Sequence, residues 1–330
     1  MTLRMTTFGC RVALVFAALI VPATPGFAQA CKTDEWTERL LTASAKSKPE
    51  DVQILLTSGA NVNSCDFKGN TPLMEAAAKG GGEVVQALIT GGANVNARRA
   101  DGETPLTIAL DQKRDAAALV LIDSKADVNA KGAKGNTPAL YAALRGRDKP
   151  MLALTQNKAN LNQKNDAGQT PLTAALSEGH GSTAVILIDG GADVAAPGAN
   201  GDTPLMLATL KGEEQVVRAL ILKTVNVNAK NTAGDTALMV ASREDRTNIA
   251  LALIEAGADA GGTGTAGQTA LMFASIRGNA KIAQALVGRG AAIEAKDKRG
   301  ATPLFLASEA GNKSVVDILI MAKANLNATT

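Results

Sequence analysis

A glycine recurs every 33 residues along most of this 330-residue chain. The recurring positions are Gly69, Gly102, Gly135, Gly168, Gly201, Gly234, Gly267 and Gly300, with no insertion or deletion between them. A fixed period of this length is typical of one supersecondary unit stacked many times, which buries its apolar side chains against its neighbours. The sequence therefore predicts a repeat solenoid.

Each unit carries the signals of two helices. Thr is a good N-cap and Pro suits the first helical turn, so Thr-Pro predicts the start of the first helix. Apolar residues such as Val216, Val217 and Leu220 mark one face of the second helix, and a glycine such as Gly92 or Gly257 follows it, as left-handed helix ends require. Three positions are invariant among the eight units. The first is a threonine: Thr71, Thr104, Thr137, Thr170, Thr203, Thr236, Thr269 and Thr302. The second is an alanine, at Ala76, Ala109, Ala142, Ala175, Ala208, Ala241, Ala274 and Ala307, and the third is a leucine, at Leu88, Leu121, Leu154, Leu187, Leu220, Leu253, Leu286 and Leu319.

These motifs resemble the ankyrin-repeat family over about residues 33 to 330: they share its 33-residue period and, in most units, the Thr, Pro, Leu and Ala of its Thr-Pro-Leu-His-x-Ala signature. The resemblance implies an all-α repeat solenoid, an ankyrin-type stack of about nine helix–turn–helix units with β-hairpin-like fingers. Its domain would span 31–330, with an N-terminal cap repeat at 31–66, internal repeats at 67–299 and a C-terminal repeat at 300–330. It also implies a scaffold for binding partner proteins, without chemistry of its own.

The chain departs from the family pattern at several positions. The signature His is absent from every unit, and mostly apolar residues such as Met74 and Met206 replace it, which predicts apolar packing there. Lys125, Lys158, Thr224 and Lys323 replace the glycine that ends the second helix, and each replacement is expected to cost about 1 kcal/mol. These changes weaken single repeats and leave the fold prediction intact.

Residues 1–30 have the pattern of a secretory signal peptide. Arg4 and Arg11 form its positive region, an apolar core follows, and Ala28-Gln29-Ala30 is a small-x-small cleavage site. The apolar run is too short to span a membrane stably. We therefore expect a periplasmic protein without stable membrane insertion; the alternatives are an extracellular protein or one anchored by lipid at Cys31.

Charge and composition argue against two other classes of function. The chain has 34 basic and 31 acidic residues, and loss of Arg4 and Arg11 leaves a net charge of +1, which is not the balance of a nucleic-acid-binding protein. The single histidine, His180, lies at a predicted turn, and no Cys and His residues have the spacing of metal ligands. We therefore expect no enzyme activity, no cofactor and no metal.

Two cysteines remain after the predicted cleavage, Cys31 and Cys65. Both would lie in an oxidising compartment, where disulfides persist. We predict a Cys31–Cys65 disulfide that fastens the N-terminal cap; the alternative is two free thiols.

In ankyrin stacks the fingers and the exposed face of each first helix form a continuous concave surface. The fingers of this chain carry ten bases against four acids, which favours a partner protein with an acidic contact face. On the first helices, Leu144, Leu210 and Ile276 recur in alternate repeats, and a base follows each. The predicted partner-binding residues are Arg98, Arg99, Tyr141, Leu144, Arg145, Leu210, Lys211, Arg243, Ile276 and Arg277.

Two functions stay open at this point. The first is a non-catalytic protein-binding scaffold in the periplasm or cell envelope that uses its concave face. The second is a structural or self-assembling envelope protein that uses its apolar C-terminal repeat, because Val315 to Met321 is strongly apolar for a last helix.

Overall fold

The computed structural model describes residues 34–79, 81–198 and 200–328. Within these ranges eighteen α-helices follow one another as nine pairs. The first, inner helices of the pairs are α1 Glu35–Ala45, α3 Pro72–Lys79, α5 Pro105–Asp111, α7 Pro138–Arg145, α9 Pro171–Glu178, α11 Pro204–Lys211, α13 Ala237–Arg243, α15 Ala270–Arg277 and α17 Pro303–Glu309. The second, outer helices are α2 Pro49–Thr57, α4 Gly82–Thr90, α6 Asp115–Asp123, α8 Asp148–Gln156, α10 Gly181–Asp189, α12 Glu214–Leu222, α14 Thr247–Glu255, α16 Ala280–Gly288 and α18 Lys313–Met321.

The recurring threonine begins the inner helices, as the sequence predicts. From Thr71 to Thr302, its hydroxyl accepts a hydrogen bond from the backbone N–H three residues later in all eight units. Thr170 and Thr173 form a capping box, in which the side chain of each residue accepts a hydrogen bond from the backbone N–H of the other. These bonds satisfy backbone donors that the first helical turn leaves without partners.

Left-handed residues end the outer helices. Gly92 and Gly257 have φ of +89° and +86° there, as their sequence positions predict. The replacements Lys125, Lys158, Thr224 and Lys323 adopt the same conformation, with φ between 55° and 67°. A side chain with a Cβ is strained in this region, so these four residues destabilise their repeats locally, as the sequence predicts.

The invariant alanine and leucine form the core. Both residues are fully buried in each of the eight units, from Ala76 and Leu88 to Ala307 and Leu319. Consecutive inner helices pack on each other, and consecutive outer helices do the same. The small alanine side chain lets neighbouring helices approach closely, so each repeat buries a thin apolar layer against the next.

The fingers connect one helix pair to the next. In the finger before α5, the N–H of Gly102 donates to the carbonyl of Arg99 and the N–H of Arg99 donates to the carbonyl of Glu103, both at 2.9 Å. Among the described residues strand pairing is limited to one isolated bridge, between Thr263 and Thr269. The fingers are therefore hairpin-like tight turns without regular strands.

Polar side chains also join successive repeats between the outer helix and the finger. A side-chain oxygen accepts a hydrogen bond from the backbone N–H 31 residues further on, at 2.7–2.8 Å. The pairs are Asn63–Asn94, Asn96–Asp127, Asn129–Asn160, Asn162–Asp193, Asn228–Asp259 and Glu294–Asn325. Ala195 and Gly261 occupy the acceptor position in the remaining repeats and lack a side-chain acceptor.

The two ends of the stack differ in polarity. Asp51 is exposed in α2, at the position where the next repeat carries the buried Val84. At the other end Phe305 is 39% exposed, whereas the equivalent residues of the seven preceding repeats are at most 2% exposed. Val315 and Leu319 pack into the core, but Ile320, Met321 and Leu326 are exposed. Nowhere in the described ranges does a helix have the length and apolar character needed to cross a bilayer.

Candidate partner-binding surface

The fingers and the ends of the inner helices line a common groove. Between the third and fifth repeats it encloses about 770 Å³. Tyr141, Leu144 and Arg145 of α7 line it, together with acidic side chains and polar residues of the fingers that precede α7 and α9. We call this side of the molecule the inner groove: the finger turns and the last turn of each inner helix. It corresponds to the surface that the sequence analysis proposes for a partner.

Tyr141 is part of the groove wall and is not an exposed contact residue. Its side chain is buried, and its hydroxyl donates a hydrogen bond to the carboxylate of Glu103. The hydroxyl of Thr107 and the backbone N–H of Ala133 donate to the same carboxylate. Burial, followed by the bond to Glu103, raises the pKa of Tyr141 well above its ordinary value. The predicted partner-binding residue Tyr141 therefore lines the groove with a buried ring, because a carboxylate of the preceding repeat holds its hydroxyl.

Arg145 forms an ion pair across repeats. Its Nη2 lies 2.7 Å from Oδ1 of Asp111, and its Nε lies 3.2 Å from the same oxygen. Both side chains remain partly exposed, so the pair stabilises the fold by only about 0–1 kcal/mol. This ion pair holds the Arg145 guanidinium in place in the groove and neutralises part of its positive charge.

The three apolar candidates differ in exposure. Leu144 is half-buried and packs against the core. Leu210 is 40% exposed and Ile276 is 46% exposed, each at the end of its inner helix. Lys211 and Arg277 follow them and are also exposed. Leu210 and Ile276 are therefore the accessible apolar contacts of this face.

Arg243 has intramolecular partners on three sides. Its Nη1 lies 2.5 Å from Oδ2 of Asp235, and its guanidinium lies over the ring of Phe273, 5.4 Å from the centroid. Its backbone carbonyl accepts a 2.7 Å bond from Nε of Arg277. This network fixes Arg243, so it shapes the groove more than it offers a free charge.

The finger candidates are also held in place. Nη2 of Arg98 donates to the carbonyl of Lys131, one repeat further on, at 2.6 Å. Arg99 pairs with Asp101 at 2.5 Å and donates to Asn70 in the preceding finger at 3.2 Å. The hydrogen bond to Asp101 raises the pKa of Arg99 and lowers that of Asp101. These contacts order the finger turns.

Acidic side chains also line the groove, and none of them is among the partner-binding residues predicted from the sequence. Glu103, Asp111 and Glu178 all belong to the lining. A signal for Glu103 is present in the sequence: it directly follows the recurring glycine, where most other units carry Asn, Asp or Gln. The groove is thus of mixed charge, whereas the sequence analysis emphasised its bases.

The remaining candidates concern cysteine and metal chemistry. Cys65 is disulfide-bonded. Cys31 lies outside the described residues, so its pairing with Cys65 stays a prediction. Nε2 of His180 lies 3.3 Å from the carbonyl of Leu144. Among residues 34–79, 81–198 and 200–328, no group of three His, Cys, Asp or Glu side chains is placed to hold a metal ion.

Comparison with known proteins identifies the family. The model described as ankyrin repeats (3 copies) matches residues 40–132, 191–263 and 258–330, which together make up well over half of the chain. The search of curated proteins found no match. Ankyrin repeats are generally protein–protein interaction scaffolds and are typically non-catalytic. The matched segments, the paired helices and the finger turns agree, and the chain belongs to the ankyrin-repeat family.

Proposed function

We propose that this protein is a non-catalytic scaffold of the cell envelope that binds a partner protein through its inner groove. The main support for this proposal is that Leu210 and Ile276 are exposed beside Lys211 and Arg277. Apolar side chains flanked by charge are typical of docking surfaces, because the apolar group supplies burial and the charge supplies specificity.

The outer edge of the fingers supports a partner with an acidic contact face. At one finger position, five of the eight fingers carry a base: Arg98, Lys131, Lys164, Lys230 and Lys296. Nζ of Lys230 donates to the carbonyl of Thr263 at 2.8 Å, in the same way that Arg98 reaches Lys131. A row of bases at this edge would raise the association rate with an acidic surface, and salt would weaken the effect.

The periplasm is the compartment that we propose. The signal-peptide pattern of residues 1–30 supports it, and so does the disulfide at Cys65, since disulfides persist in oxidising compartments. N-terminal sequencing of the protein recovered from a periplasmic fraction tests this proposal. A start at Cys31 supports it, and recovery of the intact N-terminus from the cytoplasm contradicts it.

The binding proposal is tested by affinity capture from a periplasmic extract. The bait is the purified protein, compared with the double variant Leu210→Asp and Ile276→Asp. The matched control is Ile54→Asp with Leu222→Asp, which places the same charges on exposed positions of outer helices. We expect a partner that the wild type and the control retain and the groove variant loses. Equal capture by all three proteins contradicts a groove site.

A second candidate function is self-assembly through the last repeat. Phe305 is exposed at a position that the seven preceding repeats bury, from Met74 to Met272, and Ile320 and Leu326 lie beside it. Sedimentation of the purified protein over a concentration series tests this function. A dimer that Phe305→Glu dissociates supports it, and a monomer at the highest concentration rules it out.

A further inference from the structure

The ends of the inner helices alternate in chemistry with a period of two repeats. An apolar residue followed by a base occurs at Leu144–Arg145, at Leu210–Lys211 and at Ile276–Arg277. The two repeats between them carry Ser177–Glu178 and Arg243–Glu244, in which the second residue is an acid. At this second residue the charge therefore changes sign at every step from α7 to α15, although Arg243 offsets that of Glu244.

These residues form one line along the inner groove. They occupy equivalent positions at the ends of α7, α9, α11, α13 and α15, which pack consecutively. We call the five charged residues the charge line: Arg145, Glu178, Lys211, Glu244 and Arg277. Glu244 is half-buried and the other four side chains are exposed.

The charge line is only partly neutralised within the protein. Asp111 pairs with Arg145, and Nε of Arg243 lies 3.5 Å from Oε1 of Glu244. Within the described ranges, neither Glu178 nor Lys211 has an ion-pair partner. Two charges of opposite sign thus remain without ion-pair partners on the neighbouring helices α9 and α11, beside the exposed Leu210.

The spacing of the line is set by helix packing. Packed helices lie about 8–10 Å apart, so equivalent residues two repeats apart are separated by about 16–20 Å. An α-helix rises about 1.5 Å per residue and presents the same face after 11 residues, which is about 16.5 Å. One line of side chains on a long helix therefore matches the two-repeat period.

We propose that the charge line receives a long amphipathic helix of the partner protein, an inference that rests on the proposed protein-binding function. The helix carries an acidic residue next to an apolar residue at intervals of about 11 residues, with a basic residue seven positions after each acid, on the same face and about 10.5 Å further along the axis. Its acids face Arg145, Lys211 and Arg277, and its bases face Glu178 and Glu244. Its apolar residues contact Leu210 and Ile276.

The acids of the line select against a uniformly acidic helix. Such a helix would gain attraction at three positions and meet like charge at Glu178 and Glu244. Like charges brought together in an interface are unfavourable, so they discriminate between partners as well as attract them. The alternating pattern therefore specifies the spacing of charge on the partner, and the total charge is secondary.

Two synthetic helical peptides of identical composition test the proposal. In the first, acid–apolar pairs recur every 11 residues with a lysine seven positions after each acid; in the second, the same residues are rearranged so that the pairs recur every 7 residues. Dissociation constants are measured by fluorescence anisotropy with the purified protein at low ionic strength. We expect the 11-residue peptide to bind at least about 10-fold more tightly. Equal affinity for the two peptides, or no binding of the first at about 100 µM, overturns the proposal.

A charge variant shows whether the acids of the line set the preference. Glu178→Lys with Glu244→Lys makes the line uniformly basic, and we expect the affinities for the two peptides to come within about 2-fold of each other. The control, Glu83→Lys with Glu255→Lys, makes the same change at exposed positions of outer helices and should retain the preference. An unchanged preference in the line variant overturns the proposal.

The failure of this inference can be told apart from the failure of the proposed function. If the Asp variants of Leu210 and Ile276 lose a captured partner while the peptides bind equally, protein binding at the groove stands and the helical period is wrong. If the variants keep the partner, the groove site itself is wrong.

Discussion

The side-chain Oδ1 of Asn129 lies 2.7 Å from the backbone nitrogen of Asn160, one repeat further along the chain. Asn129 therefore fixes the start of the next finger segment relative to its own. The same bond occurs at most other junctions between repeats, and it adds a polar connection to the apolar contacts of the helices. Because each repeat contacts only its neighbours, the strength of every junction contributes separately to the stability of the stack.

Asn129→Ala removes one of these connections, and we expect it to lower the free energy of unfolding by about 1 kcal/mol. The freed N–H of Asn160 is exposed and can bond to water, so the loss should not exceed that of an ordinary hydrogen bond. Urea unfolding followed by circular dichroism measures the change. An unchanged midpoint would show that the bond adds nothing to the junction.

Ala195→Asn should restore the missing connection to Asn226. The backbone N–H of Ala195 donates to Asp193 just as that of Asn96 donates to Asn94, so the local geometry is already in place. We expect a gain of about 0.5–1 kcal/mol, seen as a higher urea midpoint. Ala195→Leu is the control, because it adds a side chain of similar size without an acceptor. An equal effect of both substitutions would contradict the role of the hydrogen bond.

Thr224→Gly should stabilise the protein by about 1 kcal/mol, because Thr224 holds a left-handed φ of 55° that glycine adopts without strain. Gly257→Ala makes the opposite change one repeat later. No heavy atom lies within 4 Å of the added Cβ, so its expected loss of about 1 kcal/mol reports on the backbone alone. Thermal unfolding of both variants checks the pair, and shifts in the same direction would refute the argument.

Tyr141 should resist ionisation while the protein is folded. Its pKa is raised above the ordinary value of 10.0, so the neutral phenol contributes stability that is complete below about pH 10 and is lost as the pH rises through the folded-state pKa. The chain has a single tyrosine, so the ultraviolet absorbance of tyrosinate reports this residue directly. Titration at the ordinary value in the folded protein would contradict the buried bond to Glu103.

Tyr141→Phe tests the same hydrogen bond through its effect on the free energy of unfolding. It removes a donor from a buried carboxylate, and we expect a loss of about 1–3 kcal/mol. Glu103→Gln is the companion variant, because it keeps an acceptor for Tyr141 and removes the charge. We expect a smaller loss for Tyr141→Phe in the Glu103→Gln background, because a neutral amide oxygen accepts a weaker hydrogen bond than a carboxylate. An equal loss in both backgrounds would contradict a charged acceptor.

The predicted Cys31–Cys65 disulfide is checked by thiol counting on the exported protein under denaturing, non-reducing conditions. We expect no free thiol before reduction and two after it, because Cys10 leaves with the signal peptide. Two free thiols before reduction would disprove the pairing. Cys65→Ser should then lower stability by about 2–4 kcal/mol, since the crosslink restricts the unfolded chain.

The elements of the repeat and their order were predictable from the amino-acid pattern of a single unit. Thr170 begins a helix, Gly257 ends one, and Ala175 and Leu187 are buried wherever the repeat is stacked. These outcomes depend on interactions within about 33 residues and on a burial pattern that every unit shares, so the period was enough to predict them. The strained positions, such as Thr224, followed from the same local rule.

The accessibility of the groove residues depends on side-chain contacts between repeats, which the pattern of one unit does not specify. Tyr141 is buried because Glu103, 38 residues earlier, accepts its hydroxyl hydrogen, and Arg145 is partly neutralised because Asp111 lies one repeat away. Each of these contacts joins side chains of different repeats, where residues vary from unit to unit. A repeating pattern specifies the shared backbone positions, whereas charge and exposure in the groove depend on which particular side chains the stacking brings together.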